Sequence, residues 1–184
     1  MRSSRVVLST LAVVGALLTG ACAPMAPPAT STVESVDLQR YLGTWYELGS
    51  VKQFFSVGLV NTTAEYSLRA AGSVRVENSG RYFGADGPES RIVGTALPVD
   101  GSNARLNVTF FGEASATPPG NYWIVDLDPG YQWAIVSDPT GLSGFILSRS
   151  RTVTDELYAE LYERARSAGV DVTNLTRTPQ LEPA

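Results

Sequence analysis

The sequence predicts an all-β domain, eight antiparallel strands in a barrel or sandwich, with one late helix packed against the outside. Three observations point there. Residues 42–149 break into short runs of alternating apolar and polar side chains separated by turn residues, the pattern of a half-buried antiparallel sheet. Two later runs, 122–125 and 133–136, are apolar on both faces, and a strand of that kind needs a second layer outside the sheet. A single amphipathic stretch at 154–168 follows the last strand and can supply that layer.

The first strand, 44–51, opens after Gly43. The second, 59–69, sets Ala64, Tyr66 and Leu68 against Thr63, Glu65 and Ser67. In the third, 73–82, Val74 and Val76 oppose Arg75 and Glu77, and the fourth, 90–97, offers Ile92, Gly94 and Ala96 to one face. The fifth, 105–110, is the clearest: Leu106, Val108 and Phe110 alternate with Arg105, Asn107 and Thr109. A period of two places each apolar set on one side of the sheet. Strands at 121–127, 131–137 and 144–149 complete the eight, the last preceded by Asp138-Pro139-Thr140-Gly141, a good turn composition. In the helix, Asp155 and Glu156 occupy the first turn, Arg164 and Arg166 the end, and Gly169 follows. That order suits the helix dipole and a glycine stop. Leu157, Leu161, Ala165 and Ala168 form the stripe that would cover the last three strands.

Composition narrows the chemistry. Hydrophobic residues make up 43% and charged residues 17% of the 184-residue chain, a globular composition, long enough for one domain with a real core. Lys and Arg number 14 against 18 acidic residues, and with no basic patch nothing favours nucleic acid as a partner. There is no histidine, which removes a Ser/His/Asp triad, the commonest metal ligand and a proximal haem ligand. No metal or other cofactor is expected, and no catalytic set emerges. A Glu47–Asp126 carboxylate pair is the one acidic pair that could be imagined in such a role. The single cysteine, Cys22, rules out an intrachain disulfide.

At the N-terminus, Arg2 and Arg5 precede an apolar run over 6–18 and then Thr19-Gly20-Ala21-Cys22. A positive start, an apolar core and small residues read as a signal peptide over 1–21. The run is too short for a transmembrane span, which needs about 20 apolar residues. The cleavage region resembles a bacterial lipobox, which makes Cys22 a lipidated, palmitate-carrying anchor to a cell-envelope membrane. Ala21-Cys22-Ala23 also fits ordinary secretion as a soluble protein. Residues 22–35, rich in Ala, Pro, Ser and Thr, read as a flexible tether, residues 36–180 as the folded domain, and 181–184 as a tail.

Three motifs carry a family resemblance. Tyr41-Leu42-Gly43-Thr44-Trp45-Tyr46-Glu47 resembles the Gly-x-Trp signature on the first lipocalin strand. Asp126-Leu127-Asp128-Pro129-Gly130-Tyr131 resembles the turn between the sixth and seventh strands, and Ile146-Leu147-Ser148-Arg149 the end of the last strand. The sequence is most similar to the bacterial outer-membrane lipocalins and the apolipoprotein D group. The resemblance implies an eight-stranded up-and-down β-barrel with a C-terminal helix outside. It also implies that the barrel binds and stores or carries a small hydrophobic or amphiphilic molecule, of the fatty acid or lysophospholipid kind.

On that reading Gly43, Trp45, Asp128 and Arg149 build the closed end, with Arg149 over the Trp45 indole. The barrel interior would present Glu47, Tyr66, Leu68, Val76, Asn78, Ile92, Leu106, Val108, Phe110, Tyr122 and Ile124, with Trp133 a further candidate. Glu47 shares parity with Trp45, so an inward carboxylate there needs a partner. The mouth would lie among loops 52–58, 83–89, 112–120 and 138–143, with Phe54 and Phe55 on its lip. These two also carry an alternative role as the grip of an envelope interaction module. Oligomeric state is left open.

Overall fold

The computed structural model describes residues 31–52, 56–69 and 72–182. A short helix α1 (Leu38–Tyr41) leads into strands β1 (Gly43–Val51), β2 (Leu59–Leu68), β3 (Val74–Tyr82), β4 (Glu89–Pro98), β5 (Arg105–Thr109), β6 (Tyr122–Leu127), β7 (Trp133–Ser137) and β8 (Gly144–Ser148). Helix α2 (Asp155–Ser167), a 3-10 turn (Val172–Asn174) and a short strand β9 (Leu175–Arg177) follow. Each strand from β2 to β8 pairs with the next, β8 pairs with β1, and β1 pairs back with β2. Every pairing is antiparallel. The sheet therefore closes into an up-and-down barrel.

The eight strands fall where alternation placed them. Three elements escaped it: α1, where Asp37 Oδ1 accepts from the Gln39 and Arg40 amides at the N-cap, the 3-10 turn at Val172–Asn174, and β9, which pairs with Gly49–Val51 of β1.

Side-chain parity divides the apolar residues into two cores. Inside the barrel lie Trp45, Tyr66, Val74, Val76, Ala96, Leu106, Ile124, Ala134, Val136 and Leu147, all buried. Outside it, Leu48, Val125, Ile135 and Ile146 pack against Leu161 and Ala165 of α2. The doubly apolar strands β6, β7 and β8 are explained by this second layer. Helix α2 starts where Thr154 Oγ1 accepts from the Leu157 amide and stops before Gly169, whose φ is +89°.

The chain joins the barrel earlier than the expected tether boundary. The Val33 amide donates to the Ile124 carbonyl and Val36 is buried. At the other end, the Leu181 amide donates to Asn61 Oδ1 at 2.6 Å, inside the expected tail.

Candidate functional site

One end of the barrel is sealed. Trp45 has no solvent exposure, and its Nε1 donates to the Tyr41 carbonyl at 2.8 Å. The Arg149 guanidinium stacks on the indole, with Cζ 3.7 Å from the ring centroid. It donates to the carbonyls of Arg40, Leu42 and Thr44 at 2.8, 2.9 and 2.8 Å, and to that of Tyr41 at 3.2 Å. One planar fork thus ties α1 and the start of β1 to the end of β8. Gly43 has φ +89°, a conformation that a side chain would strain. Asp128 organises the β6–β7 turn: its carboxylate accepts from the Gln132 amide at 3.0 Å and its carbonyl from the Tyr131 amide at 2.8 Å. Gly43, Trp45, Asp128 and Arg149 all stand at this end of the barrel.

Above this plug sits a layer of three phenols. Tyr122 Oη shares hydrogen bonds with Tyr41 Oη at 2.8 Å and Tyr66 Oη at 2.9 Å. Burial pushes the Tyr66 phenol up to about 12 and raises those of Tyr41 and Tyr122 well above the ordinary range, so all three stay neutral. Tyr41 stands inside the first motif, but parity arguments do not reach a residue on a single helical turn.

Over the phenols lies a hollow of about 310 Å³, open towards the loops that follow β1, β3, β5 and β7. Glu47, Tyr66, Val76, Asn78, Val108, Phe110 and Tyr122 line it, seven residues that parity assigns to the interior. Four assignments need correction. Leu106 lines only a gap of about 10 Å³ beneath the phenol layer, because β5 begins at the sealed end. Leu68 points to the inner side but lies opposite Val74 beyond the plug, and is 42% exposed. Ile92 is 36% exposed: β4 pairs with β5 only from Thr95 to Pro98, so its mouth-side half has no β5 strand beside it. Trp133 faces outward, half-buried in the outer core, with the Arg164 guanidinium 5.0 Å from its ring centroid. Ile124 is fully buried within the inner core. Phe54, Phe55 and Cys22 lie outside the described residues.

Ala64, on the same face of β2 as Tyr66, also lines the hollow, which has further walls that parity did not single out, among them Thr62, Phe145 and Leu147. Glu47 is 7% exposed. Its Oε1 accepts from Ser50 Oγ at 2.7 Å, Lys52 Nζ at 2.7 Å and Thr178 Oγ1. Lys52 Nζ also donates to Thr178 Oγ1 at 2.8 Å. Alongside, the chain after β9 fills the gap where β1 and β2 part. The Thr178 amide donates to the Leu48 carbonyl at 2.9 Å and the Asn61 amide to the Pro179 carbonyl at 2.8 Å. Gln180 Nε2 donates to the Glu47 and Thr62 carbonyls at 2.9 and 3.1 Å. No local pattern announces these long-range partners.

The rim is apolar. Val57, Phe83, Phe111 and Leu142, on four different mouth loops, are 61–85% exposed. Phe83, itself at φ +65°, lies over Gly58, where a Cβ would fall 2.4 Å from its ring.

A closed antiparallel barrel, stoppered at one end and hollow towards the other, with a helix on its flank, defines a cup-shaped barrel protein rather than an open sandwich. Residues 36–180 match the lipocalin-like domain family, and the chain belongs to the lipocalins. It is 36% identical to the outer membrane lipoprotein Blc of Escherichia coli K12 over 167 residues, covering 88% of this chain and 90% of that one. Temperature-induced lipocalin-1 of Arabidopsis thaliana is 33% identical over 159 residues, covering 80% and 81%. Apolipoprotein D of Mus musculus is 30% identical over 160 residues, covering 83% and 82%. Among solved structures, apocrustacyanin C1 superposes with a TM-score of 0.61 at 18% identity over 84% of this chain and 89% of that one.

Proposed function

We propose that this lipocalin binds one small hydrophobic or amphiphilic molecule in its hollow and stores or carries it at the cell envelope. The fatty acids and lysophospholipids are the first classes to test. The observation that carries this reading is the hollow itself. Its volume lies at the lower end of the roughly 300–1,000 Å³ of small-molecule sites, its wall is largely apolar, and its floor is sealed. Burial of ligand hydrocarbon supplies the affinity, at about 25 cal/mol per Å² before ordering costs.

An envelope location is supported by the relatives named outer membrane lipoprotein and by the lipobox-like segment ending at Cys22. Removal of 1–21 and acylation of Cys22 would hold the domain at a membrane through the chain that precedes Val33. Replacing Cys22 by Ser should abolish palmitate labelling and release the protein from membranes; unchanged membrane retention refutes the anchor. The exposed apolar rim gives the alternative, an interaction surface, its own support: such a patch costs free energy unless something covers it.

Native mass spectrometry of protein purified from its own cells, with extraction and identification of the bound molecule, tests the carrier reading. A lipid adduct is expected. It should be lost in Ala64→Trp, which fills the hollow from the β2 wall, while the circular dichroism spectrum is retained. Wild-type protein that takes up no lipid, even when offered it, refutes the proposal.

A further inference from the structure

The wall of the hollow is chemically one-sided. Among the described residues that line it, Glu47 is the only carboxylate and there is neither Lys nor Arg. The neighbouring cation, Lys52, is already bonded to Glu47 and Thr178. The phenols at the floor are held neutral by burial. On the same side, Thr62 Oγ1 and Asn78 Oδ1 are buried without a hydrogen-bond partner, and both residues face the hollow. Buried polar atoms are normally satisfied, and an orphan is costly in the free cup and available to a guest.

Resting on the carrier reading above, we infer that the hollow takes a ligand whose buried head group is an uncharged hydrogen-bond donor, an alcohol or a glyceride hydroxyl, and rejects a buried carboxylate. A hydroxyl can donate to the Asn78 amide oxygen or to the Glu47 carboxylate and exchange a bond with the Thr62 hydroxyl. A fatty acid anion placed head-inward meets Glu47 with no free cation among the described lining residues to pair it, which is the costly case for a buried charge. Val76, Val108, Phe110, Phe145 and Leu147 accommodate the alkyl chain beside this polar strip.

The test is a competition series on the delipidated full domain, reading displacement of a fluorescent fatty probe by decanol, monodecanoyl glycerol, methyl decanoate and decanoate at neutral pH. The methyl ester removes the charge and the donor together, so the alcohol-to-ester ratio isolates the donor. Decanol and the monoglyceride should bind about tenfold or more tightly than the ester, and decanoate weakest. Glu47→Gln should narrow the gap between decanol and decanoate. Thr62→Val with Asn78→Leu should narrow the gap between decanol and the ester, Glu47 remaining as an acceptor. This second variant keeps the test open if loss of the Glu47 charge unfolds the protein. Decanoate binding as well as decanol, or an ester equal to the alcohol in the wild type, overturns the head-group inference and leaves the carrier reading standing. Failure of every compound and of the probe to bind overturns the carrier reading and this inference with it.

Discussion

Replacing Arg149 with Met keeps the aliphatic stem over Trp45 and removes the guanidinium. The bonds to the backbone carbonyls of Arg40, Tyr41, Leu42 and Thr44 are lost, with a longer one to Tyr131, only Tyr41 among the first four keeping a side-chain donor in Trp45 Nε1, and the indole loses a cation 3.7 Å from its centroid. The carbonyls lie near the sealed end, where water can replace part of what is lost, so a net contribution of about 0.5–1 kcal/mol per bond applies. The cation–π contact adds about 0.5–2 kcal/mol. The expected destabilisation is about 3–5 kcal/mol, which for a domain of this size lowers Tm by about 10 °C. Arg149→Lys retains the charge but cannot span four carbonyls from a single ammonium, so it should show about half the loss. Urea titration followed by tryptophan fluorescence, alongside a thermal melt, measures both. A loss below about 1 kcal/mol for the Met variant, or a Lys variant as stable as wild type, refutes the view that fork geometry clamps the floor.

Trp45→Ala should destabilise by about 3–5 kcal/mol in the same urea assay, since a fully buried indole leaves a cavity between Tyr41 and Arg149; an unchanged midpoint refutes its role as stopper. Alkaline stability should fall from about pH 10 towards 12. The unfolded Tyr66 phenol ionises near 10.0 and the folded one only at about 12, so above pH 10 the unfolded chain binds fewer protons and gains on the order of 2–3 kcal/mol. Tyrosinate absorbance from Tyr41, Tyr66 and Tyr122 should appear together with loss of circular dichroism; smooth titration of these phenols in a folded barrel refutes it. Thr154→Ala should cost about 1 kcal/mol by removing the α2 cap, with Thr154→Ser nearly neutral in the same measurement; equal losses for the two refute the cap.

Much of this architecture was legible because a barrel strand writes its orientation in a period of two. Leu106, Val108 and Phe110 against Arg105, Asn107 and Thr109 sufficed to orient β5. Parity says which side a residue takes but not how high it stands along the barrel axis. That is why Leu68 and Ile92 share the inner parity yet fall outside the hollow, one beyond the plug and the other where β4 has lost its neighbour. Where a strand is covered on both faces the period vanishes. Trp133 was ambiguous for that reason, and the inward turn of Ala134 and Val136 settles it outward. The distant partner of Glu47 was illegible for a different cause. A carboxylate at a buried position demands donors, but Thr178 lies 131 residues away in sequence, and nothing near Thr178 advertises the pairing.

The wedge after β9 gives the cup a property that a continuous barrel lacks. Its mouthward seam is stitched by a peptide made only after all eight staves have been synthesised, and the stitches run through the backbone of Glu47 and the neighbours of Thr62. Peeling that peptide away would break the backbone bonds at Leu48 and Asn61 and the Gln180 bonds to Glu47 and Thr62, beside the polar strip, while the β1–β2 ladder from Gly43 to Tyr46 keeps its own partners.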